Sequence, residues 1–245
     1  MDQNADTAAR KAAEDFTSQL AASLEDRLGP HCLGIYRIGS LAHGGFSRRY
    51  SDIDIAVIAE EGLDAGTLDL ARKIATDLSP AHGPKLSIFW SDRAFSMGRF
   101  PPLDRVDFID HAVTLVEREA VRPARPSLDA IRAYLRGQPL ESYREQVRRC
   151  VAITRLGPAD HRPFLRALLY PARFVYSWSR GAMASNDDAV AFLRENPPAG
   201  FAIDLVERAL RFRQEARDLD EVLPAREALP RQLAACERLA AQSAA

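Results

Sequence analysis

Apolar residues recur every four positions at Phe16, Leu20, Leu24 and Leu28, the stripe of a helix over residues 7–28 that Gly29-Pro30 stops. Cys32–Ile38 is a short apolar strand closed by Gly39. Residues 52–59 begin with alternating charge and then turn wholly apolar, as a strand covered on both faces does. A second amphipathic helix follows over 63–78, with Leu68, Ala71, Ile74 and Ala75 on one face. Residues 85–90 form a third strand, 104–110 a helical turn and 112–116 a last short strand. Two prolines mark residues 121–126 as a linker, and beyond it only helical patterns remain. Ser127 is placed as the N-cap of a helix to about residue 135. Further helices are expected near 141–154, 163–180, 185–195, 201–219 and 229–244. Strands first and helices afterwards predict an α+β chain: a small mixed-sheet domain over 1–120, then an all-helical bundle over 127–245.

Charge sharpens this division. The 245 residues carry a formal net charge of −1, which points to neither a nucleic acid nor a membrane surface as partner. Residues 1–120 hold 13 basic and 19 acidic side chains, and residues 121–245 hold 20 and 15. Opposite signs suit two domains meeting across a cleft. Cys32, Cys150 and Cys236 are odd in number and widely spaced, so they read as reduced thiols and not as a disulfide frame or zinc site. The Met-Asp-Gln-Asn start is unlike a signal peptide, and no apolar run approaches the ~20 residues that span a bilayer. These features predict a cytoplasmic protein; the oligomeric state is not legible.

The chemistry concentrates between Arg37 and Ala59. Side chains two apart on a strand share a face, so Asp52 and Asp54 present paired carboxylates while Ile53 and Ile55 turn into the core. Such a pair repels itself unless a cation lies between, and it suits Mg²⁺, which takes a few protein oxygens and the rest from phosphate and water. Gly39-Ser40 offers the complementary half: a backbone a phosphate can approach closely, with N–H groups and a short hydroxyl. Arg48 and Arg49, in the loop before Ser51, could neutralise phosphate charge or form a solvated loop face. His43, in the same loop, reads as solvated, and His31, His82, His111 and His161 show no metal-ligand spacing.

Gly-Ser, a loop of about ten residues and Ser-Asp-Ile-Asp-Ile, set between strand patterns, resemble the signature of the DNA polymerase beta-type nucleotidyltransferase superfamily. Residues 164–195 are similar to the helical domain of the aminoglycoside 3″-adenylyltransferase (streptomycin/spectinomycin) group, with Arg173, Gly181, Ser185, Asp187 and Ala189 matching. The resemblance implies ATP or another NTP as co-substrate, Mg²⁺ (two ions) on Asp52 and Asp54, and the triphosphate on Gly39, Ser40 and Ser51, with Arg48, Arg49 and Arg173 assisting. It further implies a small-molecule hydroxyl as acceptor, with Asp187 and Asp188 on the acceptor side.

One expected partner is missing. The resemblance implies a third carboxylate on the next strand, as metal ligand or general base, and Ser87 stands in its place. A serine does not take a proton from a hydroxyl at neutral pH, and general-base help is worth ~10²–10⁴ in rate. Asp92, Asp104, Asp107 and Asp110 are the substitutes to consider. The alternatives are activation without a base, or a catalytically impaired relative that binds nucleotide in a regulatory role. A protein-modifying, antitoxin-like transferase is a further alternative, disfavoured by the long helical region and the lack of an Arg-x₄-His motif in this chain. A nucleic-acid polymerase is least supported, for want of a basic stripe interleaved with aromatics.

Overall fold

The computed structural model describes residues 3–215 and 219–242. The chain is α+β and divides into two compact units, Met1–Arg125 and Pro126–Ala245. In the first, α1 (Gln3–Leu28) leads through a short 3₁₀ turn to β1 (Cys32–Ile38). Then come α2 (Ser40–His43), β2 (Ile53–Ala59), α3 (Ala65–Leu78), β3 (Leu86–Ser91), β4 (Gly98–Arg99), α4 (Pro102–His111) and β5 (Val113–Glu117). The strands make one mixed sheet in the order β4-β3-β2-β1-β5. β2 runs antiparallel to β1 and parallel to β3, an arrangement that the long crossover through α3 permits.

Both faces of β2 are covered, which is why its sequence is apolar apart from Asp54. Ile53, Ile55, Val57 and Ala59 pack with Phe16, Leu20 and Leu24 of α1 and Ala71 and Ala75 of α3. Ala56 and Ile58 turn the other way and pack with Tyr36 and Ile38 of β1 and with Phe95, Phe100 and Phe108. By strand alternation Asp54 belongs to this second face, the one α4 covers. α4 is well anchored there. Val106 and Phe108 are buried, Phe108 meets Tyr36 edge-on at 4.8 Å, and Arg105 donates to the carbonyls of Phe100 and Phe95.

The second unit contains α5 (Leu128–Arg136), α6 (Gln138–Ala152), α7 (His161–Arg180), α8 (Asn186–Glu195), α9 (Ile203–Glu215) and α10 (Leu229–Gln242). Ser127 caps α5 by accepting from the Ala130 N–H, as its sequence context predicts. A run of stacked rings, Tyr143 on Tyr170 at 4.0 Å, then Phe174 and Trp178, lines the centre of the bundle. Tyr170, Phe174 and Trp178 recur every four residues along α7, so one stripe of that helix supplies three of the rings.

The pattern of elements departs from the sequence expectation in a few places. The helical turn expected at 104–110 is a full helix starting at Pro102. Residues 40–43 of the expected loop form a helical turn. β4 and a 3₁₀ run, Leu219–Ala228, were not anticipated. The expected helix over 201–219 ends its described part at Glu215. Residues 216–218, and 243–244 of the last expected helix, lie outside the described residues.

Candidate active site

The end of β1 and the start of β2 pair so that Ile38 faces Asp54. The chain leaves β1 through Gly39, whose φ of 68° and ψ of −157° fall in a region essentially reserved for glycine. A methyl group there would overlap Asp54 Oδ2. Gly39 is therefore required twice over, by its backbone and by the carboxylate lying against it. Ser40 follows directly as the first residue of α2.

Asp54 sits among carboxylates. Burial first, then repulsion from Asp52, Asp107 and Asp104, pushes its pKa up from 3.8 to about 7. A hydrogen bond with Ser87 pulls the other way. The parallel register pairs Asp54 with Ser87 on β3, so the serine stands at the position neighbouring the paired acids. Among the described residues no three His, Cys, Asp or Glu side chains lie together in a geometry that could hold a metal ion by themselves.

Asp107 enters this group from α4. Its side chain is buried, and its Oδ2 accepts from the Gly39 N–H at 2.7 Å. Its Oδ1 has no hydrogen-bond partner, but His43 Nε2 lies 4.0 Å from it. The His43 ring packs at 5.6 Å from that of His111 and its side chain is only 7% exposed. The sequence expectation of a solvated loop histidine is thus corrected: α2 tucks His43 under α4. Spacing carries a trace of this arrangement, because Asp104 and Asp107 are three apart and share a helix face with His111. Nothing in the sequence marks the tie from Asp107 to Gly39.

The remaining expected site residues are placed as follows. Ser51 is buried, and its hydroxyl accepts from the Ser47 N–H at 3.0 Å, closing the loop that delivers the chain to β2. Arg48 lies 3.5 Å from Asp6 in an exposed ion pair, and its carbonyl accepts from Lys85. Arg49 is exposed in the same loop. Asp92 accepts from the N–H groups of Ser96 and Met97 at 2.7 and 2.9 Å and from the Ser96 hydroxyl. These bonds, that from Met97 foremost, hold its pKa down at about 2. Asp110 is bound at both oxygens by Arg125, at 2.5 and 2.9 Å. The structure thus gathers Asp52, Ser87, Asp104 and Asp107 around Asp54, with Gly39 against Asp54 and Asp107, and occupies Asp92 and Asp110 elsewhere.

In the helical unit Arg173 is half-buried on α7. Ser185 caps α8: its hydroxyl accepts from the Asp188 N–H at 3.1 Å and donates to the Asp188 carboxylate at 2.7 Å. Asp187 accepts from Gln214. Both acids are exposed in the first turn of α8, where they favour the helix dipole.

No protein-family model and no curated protein sequence matches the chain. No helix among the described residues is long and apolar enough to cross a membrane. Among solved structures, the chain is similar to spectinomycin adenyltransferase AAD(9) from Enterococcus faecialis, crystallised with ATP and spectinomycin. The two superpose with a TM-score of 0.60 at 14% identity, over 88% of this chain and 97% of that one, which establishes a common fold along nearly the whole of both.

Proposed function

We propose that this chain is a nucleotidyltransferase that moves a nucleoside monophosphate, AMP from ATP, to a hydroxyl of a small molecule and releases pyrophosphate. The observation that carries the reading is the packing of Gly39 against Asp54, beside Asp52, on a fold shared with an adenyltransferase crystallised with a nucleotide and a small molecule. The hydroxyl oxygen forms the new bond to the α-phosphorus, and the bond to the β,γ-pyrophosphate breaks in line.

Within this reading Gly39 and Ser40 hold the triphosphate and Ser51 keeps the loop closed. Asp52 and Asp54 would hold Mg²⁺. The donor set fits, because a desolvated Asp54 carboxylate repelled by Asp52 lowers its free energy by taking up a cation, and triphosphate oxygens and water would complete the shell of a hard ion. When bound, Mg²⁺ supplies charge neutralisation for the triphosphate and the leaving pyrophosphate. The acceptor's proton passes to a carboxylate of the cluster. Asp92 is unsuited to that step, since its oxygens are engaged and it stays ionised down to about pH 2.

The test is pyrophosphate release from ATP and Mg²⁺ over a broad panel of hydroxylated acceptors, wild type against Asp54→Asn. Equal release by the two proteins sinks the reading.

Ser87 favours a second reading. Its hydroxyl bonds to Asp54 where a third carboxylate would otherwise stand, which supports a relative that binds nucleotide and transfers slowly or not at all. This reading predicts ATP-dependent thermal stabilisation without turnover, and turnover in Ser87→Glu. An inert Ser87→Glu that still binds ATP counts against it.

A further inference from the structure

We propose that Asp107 is a positioning residue of the nucleotide site, holding the Gly39–Ser40 turn through the Gly39 N–H. The inference rests on the reading of that turn as the triphosphate cradle. A carboxylate with one oxygen bonded to that N–H, one oxygen without a hydrogen-bond partner, and Asp54 repelling it is an expensive group to bury. Its place in the fold accounts for it. Asp107 lies between Val106 and Phe108, both packed away from solvent, on a helix whose start is bound by Arg105 to the carbonyls of Phe95 and Phe100. The side chain is thus mounted on a rigid support, as a group that must hold another to a fraction of an ångström requires.

Within the turn the Gly39 carbonyl accepts from the Ala42 and His43 N–H groups, and Leu41 is buried, so Asp107 is the side chain that fixes the Gly39 N–H end. Gly39 adopts a backbone conformation that other residues avoid, and the chain reverses there from β1 into a single helical turn. The Gly39 N–H points to Asp107, so that donor is already engaged and leaves the remaining groups of the turn to meet the phosphates. His43, at the far end of the same turn, is packed against the other Asp107 oxygen. α4 therefore grips the turn at both ends, on the side facing Asp54. The task is that of a hydrogen-bond acceptor of the right length, and the negative charge is incidental to it.

Asp107→Asn keeps the acceptor and removes the charge; Asp107→Ser shortens it out of reach. Isothermal titration of ATP with Mg²⁺ is expected to give Asp107→Asn an affinity within about threefold of wild type, and Asp107→Ser a loss of about tenfold or more. With ATP saturating, kcat of Asp107→Ser should recover more than kcat/KM does. The Gly39 amide, followed by hydrogen exchange, should be protected in wild type and Asp107→Asn and exposed in Asp107→Ser. If Asp107→Asn is as impaired as Asp107→Ser, the charge is the working part and the proposal falls. It falls equally if Asp107→Ser binds ATP like wild type, or if the wild-type Gly39 amide exchanges freely, a result that does not require any variant to fold. A wild type that shows no ATP binding overturns the nucleotide reading itself, and the role given to Asp107 with it.

Discussion

Asp54 and Asp92 are the same residue type at opposite ends of one pair of parallel strands, and the fold gives them opposite chemistry. Asp54 enters β2 among three other carboxylates, with the Ser87 hydroxyl as a compensating donor, and its pKa rises to about 7. Asp92 leaves β3 into a turn whose N–H groups converge on it, and its pKa falls to about 2. Dry surroundings and like charges store a demand for a cation; backbone donors satisfy the charge on the spot. One acid is left among like charges and the other is satisfied by backbone donors, and the two are indistinguishable as letters in the sequence.

The sharpest way to break this comparison is Asp54→Asn. Under the proposed function, transfer should drop at least ~100-fold, because the charge that balances the metal–triphosphate complex is gone. Stability should move the other way. An acid whose folded pKa is raised contributes nothing adverse below its unfolded value of 3.8. Between there and about 7 the unfolded chain ionises while the folded one stays protonated, so stability is lost as pH rises. The full penalty, about 4 kcal/mol, applies above pH 7. Thermal melts without nucleotide or metal should therefore show wild type losing stability from pH 5 to 8 and Asp54→Asn keeping it. For Asp92 the sign reverses: its contribution is present above pH 3.8 and disappears as pH falls toward 2. A wild type whose melting temperature is flat from pH 5 to 8 would show that Asp54 is not repelled as the geometry requires.

Gly39→Ala tests the other partner of the Asp54 contact. The new methyl group meets Asp54 Oδ2 and the backbone is forced into a strained conformation, so a loss of about 3 kcal/mol is expected in denaturant unfolding. ATP-induced stabilisation should vanish with it. In the double variant with Asp54→Gly the steric part of the loss should return, because the obstructing carboxylate is gone. If Gly39→Ala unfolds at the wild-type denaturant midpoint, the close packing of turn on carboxylate is not present in solution.

Asp92→Ala is a smaller perturbation of the compensated acid. It removes the acceptor for two N–H groups and two hydroxyls at a solvent-exposed turn, for about 1 kcal/mol. ATP stabilisation should be unchanged. A loss of nucleotide response in Asp92→Ala, with the fold intact, would mean that this turn reaches the site and that the contrast with Asp54 is overdrawn.

What the sequence made legible follows from locality. β1 and β2 are mostly apolar runs, broken only by Arg37 and Asp54, so the two strands and the inward turn of Ile53 and Ile55 could be read, as could the Ser127 and Ser185 caps, which act within three residues. β4 could not, because it is two residues long, Gly98 and Arg99, with no apolar alternation, and is placed by its pairing with Trp90 and Ser91 of β3. The place of Ser87 beside Asp54 is likewise local to the strands, since the parallel register pairs the two residues. Asp107 was one of several equivalent aspartates in the sequence. Its partner is a backbone N–H 68 residues away, and such a bond leaves no mark on composition or periodicity. The burial of His43 is hidden for the same reason, since it is imposed by α4 and not by its own neighbours in the chain.

The smallest expected effect lies in the helical unit and separates burial of polarity from burial of charge. Tyr143 is 1% exposed, stacks on Tyr170 at 4.0 Å, and its hydroxyl has no hydrogen-bond partner. Burial raises its pKa far out of the working range, so the group stays neutral at any pH the protein meets. Tyr143→Phe keeps the ring stack and removes only the hydroxyl, so stability should be unchanged or gain less than ~1 kcal/mol, equally at pH 5 and pH 8. Asp54→Asn, by contrast, should gain more at pH 8 than at pH 5. A loss of more than ~1 kcal/mol in Tyr143→Phe would reveal a buried water bridging the Tyr143 and Tyr170 hydroxyls, and the bundle core would then be a satisfied polar network. The expected neutrality instead makes pH dependence the property that distinguishes a carboxylate buried among like charges from a core that merely tolerates an oxygen.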